Sequence, residues 1–462
     1  MPTPDLSTSP RAIWRLTWPQ MLMMYLMFFT GLTSVWVAGQ IDANVQAALG
    51  MVVQCGFLLM VVIMAISSGA TAAISQSLGA GRLLRAQCYV GTTVLGSCAL
   101  GVLVAITGFV WGEQLLRALQ VPESILPVCH EMWNVLMFGL PAQHIYQATG
   151  VMFRATRQVL PPLWVALLVC IVNLIVCMGC GLGMFGLPDL GFYGLIGGNV
   201  VSHVVGALCN CLLLARSGYL CRRAIPQWRW LVQALPYLVR VAVPAGIASL
   251  VWQTGYLALF VLVASLPKDS VNALAGLTAG LRVESLLFLP GMAFNMSVAV
   301  LVGNCLGAGK AEEARRISMN MTAIGTLALS LVALVLWPFR QELASFMSHD
   351  TMVQAQIVNY LTYNFLSTPF SIASTVMGGI MVGAGATQYN MAVYGGCSWL
   401  IRLPLGYLLG HILWETANGV FCAMLVSQCF QASIMLLVVY YCNWTRFAMR
   451  KLHADKKKQE QR

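Results

Sequence analysis

The chain has 462 residues, of which 59% are hydrophobic and only 9% are charged, whereas a soluble domain carries about 25% charged residues. This composition excludes a soluble globular enzyme and indicates a polytopic membrane protein, as does the mean hydropathy of +0.77. The formal net charge of +11 would suit a nucleic-acid partner. The basic residues, however, cluster at the ends of apolar runs, which is typical of membrane topology and of contact with anionic lipid. We therefore expect a lipid bilayer and no nucleic acid as partner.

Twelve apolar runs are long enough to cross a bilayer, since a spanning helix needs about 20 such residues. The predicted fold class is an all-α polytopic membrane protein with twelve transmembrane helices. In chain order the predicted spans lie near 14–38, 46–78, 88–111, 132–153, 160–183, 192–215, 237–265, 272–304, 318–338, 355–382, 391–411 and 418–441.

The distribution of positive charge predicts the orientation of these spans. If both termini are cytoplasmic, the inner loops and tails hold most of the 26 lysines and arginines, and the outer loops receive only Arg117, Lys268 and Arg340. Such an asymmetry is the signature of a multi-pass protein of the cell membrane with both ends inside. The predicted organisation is an N-terminal six-helix lobe at 1–220, a cytoplasmic linker at 221–236 that includes Arg222 and Arg223, a C-terminal six-helix lobe at 237–445, and a basic cytoplasmic tail at 446–462.

The two lobes share an internal repeat. Leu78-Gly-Ala-Gly81 recurs 228 positions later as Leu306-Gly-Ala-Gly309, and Pro141 and Pro369 keep the same offset. Pro19 and Pro244 match at an offset of 225. The repeat predicts two pseudo-symmetric six-helix bundles around a central cavity, because related bundles can rock about a shared cavity as transporters do. Proline kinks helices, so we interpret these four paired prolines as hinges of such a movement.

Three charges remain inside the predicted spans: Arg282 and Glu284 in span eight and Arg402 in span eleven. An ionisable group at membrane depth costs at least about 2.5 kcal/mol on insertion scales, so it faces a partner or a wet cavity. Glu284 is the only carboxylate in the twelve spans, which favours a role in proton or cation coupling. The alternative is a structural ion pair with Arg402. Arg282 is a poor partner within the same helix, because residues two apart do not face each other.

Several uncharged polar residues also lie in the spans and predict a polar-lined interior, in which each either bonds a neighbouring helix or contacts a substrate. We expect no metal site, since Cys177 and Cys180 have no second ligand pair nearby. The candidate cavity residues are Gln54, His144, Asn173, Gln253, Asn295 and Asn364.

The ordered set of these phrases resembles the multidrug and toxic compound extrusion (MATE) family along nearly the whole chain. Besides the repeated motifs, the resemblance rests on Gly139-Leu-Pro141, Gly383-Ala-Gly385-Ala-Thr387 and Arg402-Leu-Pro404. It implies two six-helix bundles with a central cavity and export of organic and often cationic amphiphiles in exchange for protons or sodium. We expect no cofactor, and the two-lobed design permits a working monomer.

The chain departs from the family at the places of its usual membrane carboxylates. The aspartate that many members carry in the first span corresponds to Ser34 here, and an acidic place in span five corresponds to Cys177. A carboxylate that several members have in span seven is matched by Gln253. The N-terminal lobe thus lacks a membrane carboxylate, and the predicted ion-coupling residue is Glu284.

We predict a secondary antiporter for small amphiphiles. A flippase for a lipid-linked precursor is the alternative, although Arg282 and Arg402 alone are few cations to hold a pyrophosphate. An enzyme is not expected, because the spans show no nucleophile–base grouping. A nucleotide-driven pump is not expected either, because Gly-x-x-x-x-Gly-Lys-Ser/Thr is absent.

Overall fold

The computed structural model describes residues 9–119, 121–221, 224 and 226–449. Arg222, Arg223 and the basic tail from Arg450 onward lie outside these residues. The described part is almost entirely helical and contains no strand. The chain divides into two compact units, Met1–Val239 and Arg240–Arg462, and α7 supplies residues to both.

Unit 1 consists of six long helices and the beginning of a seventh, which starts inside the segment predicted as a linker. They are α1 (Pro10–Ile41), α2 (Ala43–Gly79), α3 (Leu83–Ala118), α4 (Leu126–Ala155), α5 (Leu160–Leu182), α6 (Phe192–Arg216) and α7 (Trp228–Ala264).

Unit 2 repeats this plan, with short helices inserted on the way. Besides the rest of α7 it contains α8 (Ser270–Gly307), α9 (Ala311–Leu336), α10 (Arg340–Met347), α11 (Thr351–Ala384), α12 (Thr387–Gly396), α13 (Leu403–Tyr407) and α14 (Ala417–Tyr441). Two π-helical segments, Cys397–Arg402 and Leu408–Leu413, flank α13.

Every predicted span matches this helical framework to within one residue at its ends, so the all-α, twelve-span prediction is confirmed. In the described part of the chain, ten helical runs are long and apolar enough to cross a membrane by length and composition. The two other predicted spans are 132–153, which lies in the more polar α4, and 391–411, which the π-helical segments interrupt. A segment that crosses a bilayer must be long and apolar enough to span the hydrocarbon core. It must also satisfy its own backbone hydrogen bonds, as a helix does.

The repeated Gly-Ala-Gly phrase forms the same turn twice. Gly81 and Gly309 adopt positive φ angles of 70° and 78°, a conformation that glycine accepts without a steric penalty. The amide of Arg82 donates to the Ser77 carbonyl at 2.9 Å, and the amide of Lys310 donates to the Cys305 carbonyl at 2.9 Å. These bonds satisfy backbone carbonyls at the C-terminal ends of α2 and α8, as in a Schellman motif.

The core of unit 2 is the parallel packing of α8 on α11, and small residues set its register. A β-carbon on Gly276 would collide with Gln356, one on Gly280 with the Tyr360 ring, and one on Gly291 with Ile372. Contacting positions on the two helices therefore keep a nearly constant separation in the sequence, as expected for parallel helices in one register. One turn after Gly280, this register places Glu284 on the α11-facing side of α8.

The packing of α2 on α4 is the counterpart in unit 1. A β-carbon on Gly56 would lie 3.4 Å from Cδ2 of Leu136. Adding the 228-residue repeat offset to these positions gives Glu284 and Asn364. The two units thus share a backbone arrangement, but the chemistry at this level differs: unit 1 is apolar and unit 2 is polar.

The four predicted hinge prolines all lie inside long helices. Pro19 lies in α1, Pro141 in α4, Pro244 in α7 and Pro369 in α11. A proline inside a helix removes one backbone donor and crowds the preceding turn. The approach is close at Pro141, where a β-carbon on Gly101 of α3 would lie 2.8 Å from the proline Cα. Their role as hinges stays a prediction.

Candidate functional site

The candidate site is built around Glu284, a partly buried carboxylate on α8. The Tyr360 hydroxyl of α11 donates a hydrogen bond to its Oε2 atom. Tyr360 is 1% exposed and packs edge-on against Phe421 of α14, with ring centroids 5.2 Å apart. The missing side chain at Gly280 leaves the space that the Tyr360 ring occupies. Sequence reasoning did not single out Tyr360 as a partner of the carboxylate.

Arg402 lies in the same unit and is 2% exposed. It ends the π-helical segment after α12, and its Nε donates to Oγ of Ser427 on α14 at 2.9 Å. Its guanidinium carbon lies 5.6 Å from the ring centroid of Tyr256 on α7. A buried guanidinium is tolerated when such partners replace water.

Glu284 and Arg402 lie in the same unit and form no ion pair with each other. None of the four ion pairs among the described residues includes either of them. Tyr360, rather than Arg402, is the hydrogen-bond partner that holds the carboxylate. Arg282, two positions before Glu284 on α8, is exposed, as expected from its different helical face.

A small recess opens beside the carboxylate between α8 and α11, with a cavity volume of about 10 Å³, which is room for about one water molecule. The Asn364 side-chain oxygen is buried there without a hydrogen-bond partner. The hydroxyls of Ser367 and Thr368 donate to the Asn364 backbone carbonyl at 2.8 and 3.0 Å. The recess therefore offers oxygen acceptors to a proton or cation. It is lined by Glu284, Leu287, Phe288, Asn364, Ser367, Thr368, Ser371 and Ile372.

Aromatic rings extend this site along α7 and α8. Trp252 stacks on Phe288, with centroids 6.4 Å apart and planes 10° from parallel. It also contacts Tyr256, with centroids 4.7 Å apart. The faces of such rings attract cations, most strongly where water is excluded.

The other polar residues that the sequence suggested have different roles. Asn295 on α8 donates to the Thr375 carbonyl of α11 at 2.6 Å, which is a helix-to-helix bond. His144 is fully buried in α4 beside Gly101. Gln54 is exposed on α2, and Gln253 is partly exposed on α7. Of the predicted cavity residues, only Asn364 lies in the recess with Glu284.

Unit 1 contains a neutral hydrogen-bond network that includes Ser34 and Cys177, the positions that the sequence resemblance matched to carboxylates. The Asn173 amide donates to the side-chain oxygen of Asn199 at 3.1 Å, and the Asn199 amide reaches Oγ of Ser34 at 3.4 Å. The Cys177 thiol donates to the Leu195 carbonyl at 3.2 Å. The structure thus brings Ser34, Asn173 and Cys177 together through α6, and Asn199, which sequence reasoning missed, connects two of them.

Comparison with known proteins agrees with this architecture. The sequence matches the family described as MatE over residues 19–178 and 244–408, so the two matched segments begin at the paired prolines. Among curated relatives, the probable multidrug resistance protein NorM of Thermotoga maritima is 23% identical and covers 97% of this chain and 96% of its own length. The probable multidrug resistance protein YoeA of Bacillus subtilis is 22% identical, with 83% of each chain covered.

Among solved structures, a mutant of the Vibrio cholerae MATE transporter VcmN superimposes with a TM-score of 0.87 at 20% sequence identity. The alignment covers 94% of this chain and 98% of that one. At this level of identity the similarity shows a shared fold.

Proposed function

Since this chain belongs to the MatE family of multidrug efflux transporters, we propose that it is a secondary antiporter that exports small, organic, cationic amphiphiles in exchange for protons or sodium, by alternating access of its two lobes. The observation that carries the proposal is Glu284, the only carboxylate in the predicted spans, held by Tyr360 at the edge of a polar recess. Both termini are cytoplasmic in this scheme, as the distribution of basic residues supports.

Antiport follows from competition for one negative charge. While Glu284 is ionised, its charge and that of Arg402 balance, and a cationic substrate is attracted to the carboxylate. When a proton or sodium ion neutralises Glu284, Arg402 leaves a net positive charge that disfavours the substrate. Two ligands that exclude each other in this way are coupled by a reciprocal free energy, which is what exchange across a membrane requires.

The surroundings of Glu284 favour amphiphilic cations as cargo. Trp252, Tyr256 and Phe288 supply apolar surface and ring faces near the carboxylate, and a ring face binds an organic cation with about 0.5–2 kcal/mol. The carboxylate supplies the charge, and the rings accept substrates of different shape. The driving force is assigned to an ion gradient, because the sequence has no nucleotide-binding phrase.

The flippase alternative requires several free cations to hold a pyrophosphate. Arg402 is already engaged by Ser427 and Tyr256, and Arg282 is exposed on another face of α8. These positions favour antiport over lipid-precursor transfer.

The test is efflux of a fluorescent organic cation from proteoliposomes, with a proton gradient and a sodium gradient imposed separately. Wild-type protein should release the dye under at least one gradient, which names the ion, and Glu284→Gln should abolish this release while remaining folded. Glu131→Gln is the matched control, because Glu131 also accepts a tyrosine hydroxyl, from Tyr193 at 2.6 Å, but is exposed in unit 1. Unimpaired release by Glu284→Gln would reject Glu284 as the coupling residue.

A further inference from the structure

The chain after α14 folds back onto one end of unit 2. Its short 3₁₀ turn, Trp444–Phe447, places the Trp444 side chain at 0% exposure and that of Phe447 at 6%. The Trp444 indole donates to the Val439 carbonyl at 2.9 Å, and Phe447 packs edge-on against Tyr389 at 5.9 Å. The segment is therefore a fixed part of this end of the unit.

Three arginines from separate elements surround these two rings. Arg315 of α9 lies 5.7 Å from the Trp444 ring centroid. Arg240 of α7 and Arg446 lie 4.9 and 5.0 Å from the Phe447 centroid. We call Arg240, Arg315 and Arg446, with Trp444 and Phe447, the basic cluster.

The basic cluster lacks acidic partners in the described part of the chain. None of its arginines takes part in the four ion pairs found there, and the nearby Glu313 is bonded to Lys310 at 3.1 Å. Arg240 and Arg446 share one ring, so their guanidinium groups lie within a Debye length, about 10 Å at moderate salt, and repel each other. An anion that contacts both guanidinium groups would relieve this repulsion.

The position of the basic cluster indicates which class of anion it binds. Tyr440 and Tyr441, at the end of α14, are 65% and 76% exposed, as tyrosines at a membrane–water interface are. The backbone carbonyl of Tyr440 accepts a bond from Arg315 at 3.2 Å, which ties the basic cluster to this level. In the sequence, Arg450, Lys451 and Lys456-Lys-Lys458 follow at once, and basic residues next to a final span attract anionic lipid.

We propose that the basic cluster is a docking site for the phosphodiester headgroup of an anionic phospholipid at the predicted cytoplasmic face of unit 2. Arg240, Arg315 and Arg446 bind the phosphate oxygens, since guanidinium groups pair well with phosphate. Trp444 and Phe447 hold the arginines at headgroup depth. The bound lipid stabilises the attachment of the C-terminal segment to the ends of α7 and α9.

The test uses the full-length protein in nanodiscs of phosphatidylcholine with a rising fraction of phosphatidylglycerol. The melting temperature should rise with this fraction, and native mass spectrometry should detect retained phosphatidylglycerol. High salt should reduce the rise, because the Debye length falls to about 3 Å at 1 M. Arg240→Gln/Arg446→Gln should lose most of the rise, with about fivefold weaker lipid retention per neutralised arginine.

Controls separate the headgroup from general charge and from folding. Arg240→Lys/Arg446→Lys keeps both charges and should keep most of the rise, whereas Arg117→Gln removes an exposed arginine paired with Glu113 and Glu123 and should leave the rise intact. If the double Gln variant does not fold in pure phosphatidylcholine, the two single Gln variants replace it, each expected to lose part of the rise. A full rise in the Gln variants would overturn the proposal. Equal stabilisation by glycerol 1-phosphate added to phosphatidylcholine nanodiscs would overturn the assignment to lipid.

Discussion

The hydroxyl of Tyr360 donates to the carboxylate of Glu284 across the α8–α11 interface, whereas the corresponding residues of unit 1, 228 positions earlier, are Met132 and Gly56. One buried donor therefore distinguishes the polar level of unit 2 from its apolar counterpart. A hydrogen bond to a charged group contributes about 1.5–3 kcal/mol, which is enough to decide how the carboxylate is oriented.

Tyr360→Phe should lower gradient-driven export about tenfold or more, because it removes this donor and keeps the ring contact with Phe421. The measurement is dye efflux from proteoliposomes across a range of pH, and the pH profile should change together with the rate. Tyr193→Phe, which removes the donor to Glu131 in unit 1, should leave the profile as in wild type. If both variants keep the wild-type rate and profile, Tyr360 has no part in coupling.

Gly280→Ala should destabilise unit 2 by about 1–3 kcal/mol, because the new methyl group would overlap the Tyr360 ring. Export should fall with it, since the displaced ring no longer holds Glu284. The matched control is Gly96→Ala in α3, where a β-carbon meets nothing within 4 Å, and there the melting temperature should stay level or rise slightly. A wild-type melting temperature for Gly280→Ala would show that α8 and α11 can separate without cost.

Arg402 and Ser427 should be energetically coupled, because the guanidinium is buried and Ser427 accepts from its Nε. A double-mutant cycle of Arg402→Gln and Ser427→Ala, read by thermal unfolding, should give a coupling energy of about 1 kcal/mol. The same cycle with Glu284→Gln and Arg402→Gln measures the longer-range attraction. Strictly additive losses in that second cycle would leave Glu284 without Arg402 as a structural partner.

Asn199→Ala should cost about 1–3 kcal/mol, because it leaves the fully buried Asn173 amide without its acceptor. Gradient-driven export should nevertheless persist, since the carboxylate proposed for coupling is in unit 2. Gly197→Ala, in the same helix with open space around it, controls for substitution in α6. Loss of coupling in a folded Asn199→Ala protein would move the coupling site to unit 1.

The loop pair Lys268–Glu415 gives a pH-dependent prediction. The hydrogen bond and charge of Lys268, whose Nζ lies 2.6 Å from Oε2 of Glu415, lower the pKa of that carboxyl below its usual range. Its contribution to stability is therefore present above the unfolded pKa, about 4.3, and disappears as the pH falls through the folded value. The melting temperatures of wild type and Glu415→Gln should differ slightly near neutral pH and converge in acid. A difference that does not change with pH would contradict this.

The features that sequence predicted are those with local causes. Apolar length determines a span, and the recurring Gly-Ala-Gly phrase revealed the repeat, although the turns that Gly81 and Gly309 form were not predicted. Glu284 was selected because a carboxylate in a span is costly. These signals do not depend on which helices are neighbours.

The remaining features depend on register, which sequence alone did not provide. Tyr360 was not singled out in the sequence, because its role depends on the glycines of α8 that align it with Glu284. The role of Asn199 in connecting Ser34 and Asn173 depends on the packing of α6 beside α1 and α5. The π-helical turn that carries Arg402 inward is a backbone irregularity, and such turns depend on packing rather than on a residue pattern.

The turns that end α4 and α11 lie 228 residues apart and adopt the same left-handed backbone, with Arg157 at φ 60° and Gly385 at φ 75°. Glycine adopts this conformation without a steric penalty and arginine does not, so the two halves keep the same backbone corner with residues of different suitability. The side chains at the level of Glu284 differ more between the two halves, since Gly56 and Met132 of unit 1 correspond to Glu284 and Tyr360 of unit 2. The repeat thus preserves backbone shape at these corners more strictly than it preserves side-chain chemistry inside the two units.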